Sequence, residues 1–304
     1  MRPPMTGILL GLLSTVALAA DRPVTDVDAM AGKASYQRWC GGCHGERGDG
    51  AGPAAEFLDP RPRDFTKKLF KFRTTASGQP PTTVDVLRVI ERGVPGTAMP
   101  PFAFLPEADR RKIAAYVLNV ADLIDGPEPT PIAAPDPPPA ATPDTIARGK
   151  QFYIDAGCNS CHGDDGKGSA SALLDTDGRP IRARDLTEGV YRGGGERVDL
   201  YYRIATGLDG TPMPSYGDVL GASDLFAVVD YVLSQKSAPP RGPLPTDAIA
   251  AGREVTAKHG CRGCHVLDDG KGGDVGPDLR LSAQKLDPTW ARTFLAAPPE
   301  YGKI

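Results

Sequence analysis

Three copies of one five-residue pattern use every cysteine in the chain: Cys40-Gly-Gly-Cys43-His44, Cys158-Asn-Ser-Cys161-His162 and Cys261-Arg-Gly-Cys264-His265. Thiols at i and i+3 lie on one side of a helical turn. Both can then add to the vinyl groups of one haem, and the next residue, histidine, comes beneath the iron as its proximal ligand. A thioredoxin-like redox pair does not need the histidine and occurs once, near a βαβ pattern. A zinc site needs a second Cys or His pair, and only His259 is left once the three motifs are filled. Three i,i+3 disulfides would be an odd framework. The pattern points to three covalently attached haem c groups, held by Cys40 and Cys43, Cys158 and Cys161, and Cys261 and Cys264, with His44, His162 and His265 on the irons.

The motif sits inside a longer repeat. The first block runs Ala31-Gly32-Lys33, Tyr36, Cys40, then Arg63-Asp64-Phe65-Thr66, Gly96-Thr97-Ala98-Met99-Pro100 and Ala114-Ala115-Tyr116-Val117-Leu118. The second runs Arg148-Gly149-Lys150, Tyr153, Cys158, then Arg184-Asp185-Leu186-Thr187, Gly210-Thr211-Pro212-Met213-Pro214 and Val229-Asp230-Tyr231-Val232-Leu233. The third begins alike at Ala251-Gly252-Arg253 and stops early. Of five methionines, Met1 and Met5 lie in the leader and Met30 precedes the first motif, which leaves Met99 and Met213 in matching Gly-Thr-x-Met-Pro turns. They follow their histidines by 55 and 51 positions and are the expected second axial ligands. A thioether there raises the potential and closes the iron to substrate. The same spacing from His265 reaches positions 316 to 320, past Ile304, so the third block reads as cut short.

Proline stands at 31, about twice the usual ~5% share. Eight of these prolines fall in Gly126 to Pro143 and others in Ser237 to Pro245, stretches that act as semi-rigid spacers. The expected layout is a signal peptide at 1–20, domains at 21–125, 144–236 and 247–304 (partial), and proline-rich linkers at 126–143 and 237–246. Met1 to Ala20 has one basic residue, Arg2, an apolar run from Ile8 to Ala19 too short to span comfortably, and Ala17-Leu18-Ala19 for cleavage. Export to the periplasm is expected, with an uncleaved anchor as the minority alternative. A net charge of −3 gives no electrostatic case for nucleic acid.

The blocks read as all-α. Val84, Val86, Leu87, Val89 and Ile90 form an apolar stretch. Ile113, Tyr116, Val117 and Val120 form a helical stripe that Leu225, Val228, Val229 and Val232 repeat. Gly32 and Gly149 inside a first helix suggest close helix–helix approach, with Tyr116 and Tyr231 on the helix that crosses. The run Arg61, Arg63, Lys67, Lys68, Lys71 and Arg73 would pair with haem propionates, dock an acidic partner or form a solvated loop. Arg63 is repeated by Arg184, and both are candidates to contact propionates.

With these residues the chain resembles class I c-type cytochromes in tandem, an all-helical fold in which first and last helices cross around each haem. Gly276-Pro277-Asp278-Leu279 resembles the family segment whose proline carbonyl orients the proximal histidine. That resemblance implies that Pro277 orients His265; Gly52-Pro53 is the nearest match in the first block and the second has none. It also implies an electron carrier, not an enzyme, serving redox proteins or a membrane respiratory complex, with membrane association through a partner or an uncleaved anchor. The alternative is a haem enzyme whose third, open iron reduces a small ligand such as peroxide or a nitrogen oxide.

Overall fold

A computed structural model describes residues 24–55, 58, 60–168 and 172–237, and beyond them 247, 250, 252–254, 256, 265–267, 279–281, 289 and 292. The expected signal peptide, Cys261, Cys264 and Pro277 lie outside the described residues. The described chain is helical, with one two-residue hairpin. The first unit contains α1 (Asp26–Trp39), α2 (Gly41–His44), α3 (Thr83–Arg92) and α4 (Glu107–Val120). The second repeats the order with α5 (Pro143–Asp155), α6 (Asn159–His162), α7 (Arg197–Thr206) and α8 (Ala222–Ser234). Between α6 and α7 the strands β1 (Leu173–Leu174) and β2 (Pro180–Ile181) pair antiparallel, Leu173 opposite Ile181. A 3₁₀ turn, Leu279–Leu281, lies in the third block.

Helices α1, α3 and α5 start where the sequence supplies a threonine cap. Thr25, Thr82 and Thr142 each accept a hydrogen bond from the backbone N–H three residues on, and that residue's side chain answers to the cap's own N–H. Pro143 is the first residue of α5, where its missing N–H costs nothing. The helix therefore takes the last residue expected of the linker. The rest of that segment is strapped down: Glu128 accepts from Thr83 N (2.6 Å), Ile132 N donates to Thr74 O (2.8 Å), and Tyr201 Oη donates to Ala133 O (2.9 Å).

The core of each unit is the crossing of its first and last helices. Gly32 of α1 lies on the backbone of α4, so that an added Cβ would stand 2.0 Å from Lys112 O. Gly149 of α5 lies on α8 in the same way, 1.9 Å from Ala227 O. Beside each crossing two tyrosines meet: Tyr36 with Tyr116 at 4.7 Å between ring centres, and Tyr153 with Tyr231 at 5.2 Å. The first-helix tyrosine of each pair donates its hydroxyl to the loop after the motif, Tyr36 to Gly45 O (2.9 Å) and Tyr153 to Gly163 O (2.7 Å). Ile113 and Val117 are buried, as are Leu225, Val228, Val229 and Val232. In α3, Val86 and Ile90 face the core while Val84 faces solvent.

The two units pack against each other through the basic run and acidic loops of the second unit. Arg73, fully buried, donates to Thr206 O (3.0 Å) and Asp209 Oδ1 (2.8 Å). Lys67 pairs with Asp177 in the hairpin turn, Arg92 with Asp199 (3.2 Å), and the Arg203 guanidinium lies 5.2 Å from the centre of the Phe72 ring. Lys68 instead pairs with Asp122 of its own unit (2.8 Å). Much of the run thus finds its acidic partner within the chain.

Alanine is the better helix former by about 1 kcal/mol, but a backbone carbonyl 1.9 Å away cannot yield without moving α8. Gly149→Ala is therefore expected to destabilise the protein by roughly 1–3 kcal/mol, read as a lowered Tm. Gly126→Ala, where an added Cβ meets nothing, leaves Tm unchanged.

Candidate functional site

The two motifs fold alike. His44 N donates to Cys40 O (2.8 Å) and His162 N to Cys158 O (2.9 Å), which closes one helical turn over each Cys-x-x-Cys-His sequence. The loop that follows folds back in the same way in both: Gly50 N donates to His44 O and Gly168 N to His162 O, each at 2.8 Å. Phe65 N then donates to Gly48 O and Leu186 N to Gly166 O, each at 2.7 Å. This brings the Arg-Asp-Phe/Leu-Thr segment beside the histidine. His44 Nδ1 lies 3.0 Å from Arg63 O, and His162 Nδ1 lies 3.3 Å from Arg184 O. A carbonyl only accepts, so Nδ1 carries the proton and Nε2 keeps its lone pair. Burial pushes both imidazoles below the ordinary histidine range, against the pull of these bonds, which favours the neutral ring. Phe65 also stacks on His44 at 4.7 Å.

The carbonyl that orients His44 belongs to Arg63 and not to Gly52-Pro53. Gly52 packs instead under the motif, its N–H on Cys43 O (3.2 Å). The signal in the sequence was the tripeptide x-Asp-Phe/Leu: Arg63-Asp64-Phe65, Arg184-Asp185-Leu186 and Pro277-Asp278-Leu279 share it. In the third block Leu279 N donates to Val266 O (2.9 Å), which brings Leu279 beside the residue that follows His265.

The methionine turns are wired identically. Thr97 Oγ1 donates to Val94 O (2.8 Å) and accepts from Met99 N (3.1 Å), while Val94 N donates to Met99 O (3.0 Å). Thr211 Oγ1 donates to Leu208 O (2.7 Å) and accepts from Met213 N (3.3 Å), while Leu208 N donates to Met213 O (3.1 Å). The threonine of Gly-Thr-x-Met-Pro is thus the internal brace of the loop.

In the first unit these parts enclose a cavity of about 200 Å³. Cys40, Cys43 and His44 line it together with Met99, and its apolar walls include Val86, Ile90, Phe102 and Val117. Arg61, Arg63 and Lys71 line it too, as does Arg192 of the second unit. Burial pulls Lys71 down to about 8, helped by Arg63 and Arg192. Such a cation-rich lining suits carboxylates. Two thiols, an imidazole with a free Nε2, a thioether, an apolar interior and cations match the donor set and shape of haem c. In the second unit Cys158 and Met213 pack on one hydrophobic core. The loops of Asp49 and Asp165 are local turns, each carboxylate accepting from the N–H two residues on (3.1 Å). No cluster of three metal-ligating side chains occurs among the described residues.

Residues 27–117 match the family described as cytochrome c oxidase, cbb3-type, subunit III, and residues 146–236 match the family cytochrome c. Among curated proteins the chain is 26% identical over 201 residues to the cbb3-type cytochrome c oxidase subunit FixP of Azorhizobium caulinodans, covering 66% of this chain and 57% of that protein. It is 27% identical over 229 residues to the cbb3-type cytochrome c oxidase subunit CcoP of Azospirillum sp., covering 73% of this chain and 68% of that protein. The chain thus spans little more than half the length of FixP. Among solved structures, a chain of the Kuenenia stuttgartiensis reducing HAO-like protein complex Kustc0457/Kustc0458 superposes with a TM-score of 0.65 at 37% identity. The match covers 68% of this chain and 96% of that one.

Thr97→Val keeps the shape of the side chain but leaves Met99 N and Val94 O without the hydroxyl. A loss of roughly 1–3 kcal/mol is expected, measured by denaturant unfolding, with Thr211→Val giving a similar loss.

Proposed function

We propose that this chain, whose residues 27–117 and 146–236 match cytochrome c-type families, is an exported class I c-type cytochrome, a carrier relaying single electrons between redox partners of a respiratory chain. It would hold three haem c groups, one at each Cys-x-x-Cys-His motif, in the periplasm, and serve as a subunit or donor of a membrane respiratory complex. The oxidase subunits among its relatives support that setting. No helix among the described residues is long and apolar enough to cross a membrane.

The observation that carries the reading is the duplicated wiring of histidine and methionine loops. Haem c bound there supplies a one-electron iron couple. Cys40 and Cys43 would anchor it, and Cys158 and Cys161 would do so in the second unit. The carbonyls of Arg63 and Arg184 fix each imidazole with Nε2 free to ligate and make it a better donor. Thr97 and Thr211 brace the loops of Met99 and Met213, whose thioethers would be the second iron ligands. A histidine and a methionine at each site would leave no open position for substrate there, which suits electron carriage. The apolar walls of the first site would exclude water, and Lys71 and Arg61 would meet the carboxylate edge.

Haem content and carbon monoxide binding test this. The expected protein carries three haems per chain and binds little carbon monoxide at the first two reduced centres. Met99→Ala and Met213→Ala each open one site to carbon monoxide and lower one potential. A parent protein that binds carbon monoxide at either of those centres would overturn the carrier reading.

A further inference from the structure

The repeated arginines reach beyond their own units: Arg63 lines its own unit's cavity, and the guanidinium of each arginine also lies on the opposite unit. The Arg184 guanidinium packs on Gly96, the glycine that opens the first unit's methionine turn, where an added Cβ would lie 2.9 Å from Nη2 and 3.2 Å from Cζ. Arg63 does the same in reverse: its Nη1 would lie 3.2 Å from a Cβ on Gly210, which opens the second unit's methionine turn. Both glycines have positive φ, +71° and +80°, so the turn geometry and the contact with the arginine call for the same residue. Meanwhile the backbone carbonyls of the same two arginines receive the proximal histidines of their own units.

We propose that Arg63 and Arg184 are crossed positioning residues: each orients its own unit's histidine through its carbonyl and sets the potential of the opposite unit's centre through its guanidinium. This rests on the assignment of His44 with Met99 and His162 with Met213 as axial pairs. The exchange is unequal in one respect. Arg184 is held at home by Glu188 (2.8 Å) and by Val190 O (3.1 Å). Arg63 faces Asp175, Asp177 and Asp209 of the second unit, together with Asp64 of its own. The two units are then joined by paired arginines, each set between its own histidine and the opposite methionine turn, so removal of one side chain is felt across the interface. A contact of each arginine with only its own haem would instead confine the change to the same unit.

The test is a spectroelectrochemical titration of the full haem-loaded chain, with the centres told apart by Met99→His and Met213→His. Arg63→Gln keeps the carbonyl and the stem and removes the charge. It is expected to shift the oxidised-to-reduced ratio of the second centre toward oxidised by at least about threefold at fixed ambient potential, or ~28 mV at 59 mV per tenfold. Arg63→Lys retains most of the parent value, and Arg184→Gln moves the first centre. Arg63→Gln that moves only the first centre, or neither, overturns the crossed assignment while leaving the axial pairs intact. A parent chain without the methionine-to-ferric-iron charge-transfer band removes the axial pairs and this proposal with them.

Discussion

The bond between an imidazole and a main-chain carbonyl, His44 Nδ1 to Arg63 O in the first unit and His162 Nδ1 to Arg184 O in the second, organises the rest of each unit. It fixes which nitrogen is free, and so which way the motif faces. It also requires the loop after the motif to return at a set place, which the bonds of Gly50 and Phe65, and of Gly168 and Leu186, achieve. The crossed helices follow from the same demand. Tyr36 and Tyr153 sit buried at the crossing and donate to the first residue after each motif, so the loop is tied to the core from both ends. Only a glycine at the crossing lets the helices come close enough for that reach.

Duplication adds a second level. Each unit buries its own core, yet the face that carries the arginine segment and the methionine turn is turned toward its copy. The basic run of the first unit meets acidic loops of the second: Lys67 pairs with Asp177 in the turn of the hairpin that only the second unit carries among the described residues, and Arg73 with Asp209 in the loop after α7. Arg73 has no exposure, and removing one partner of such a buried pair is far costlier than removing a surface charge. The proline-rich segment reinforces the arrangement, since Glu128 caps the start of α3 and Ile132 and Ala134 pack on the second core. A spacer of that composition reads as a tether; here it is a strap.

Much of this was legible in the sequence, because it depends on local rules. The motif spacing, the Gly-Thr-x-Met-Pro turns and the glycines of the first helices all announce a backbone requirement that one residue type meets. The carbonyl partners of the histidines were harder to see, because a main-chain oxygen leaves no side-chain signature. The aligned tripeptide x-Asp-Phe/Leu marks the position, and the proline of the third copy distracts from it. The fate of Arg63 and Arg184 was not readable at all. A charged side chain conserved between two repeats suggests a shared local role, and only the packing of the units shows that each guanidinium lies on the opposite methionine turn. Lys71 and Arg192 line the first cavity for the same reason, one from each unit.

The imidazole–carbonyl bond is open to direct measurement by nitrogen-15 NMR of the reduced, haem-loaded protein with labelled histidine. His44 and His162 are expected to show a protonated Nδ1 whose hydrogen exchanges slowly with solvent, and an unprotonated Nε2 shifted by bound iron. A proton on Nε2, or a Nδ1 hydrogen that exchanges as freely as in an exposed histidine, would contradict the carbonyl as the element that orients the ring.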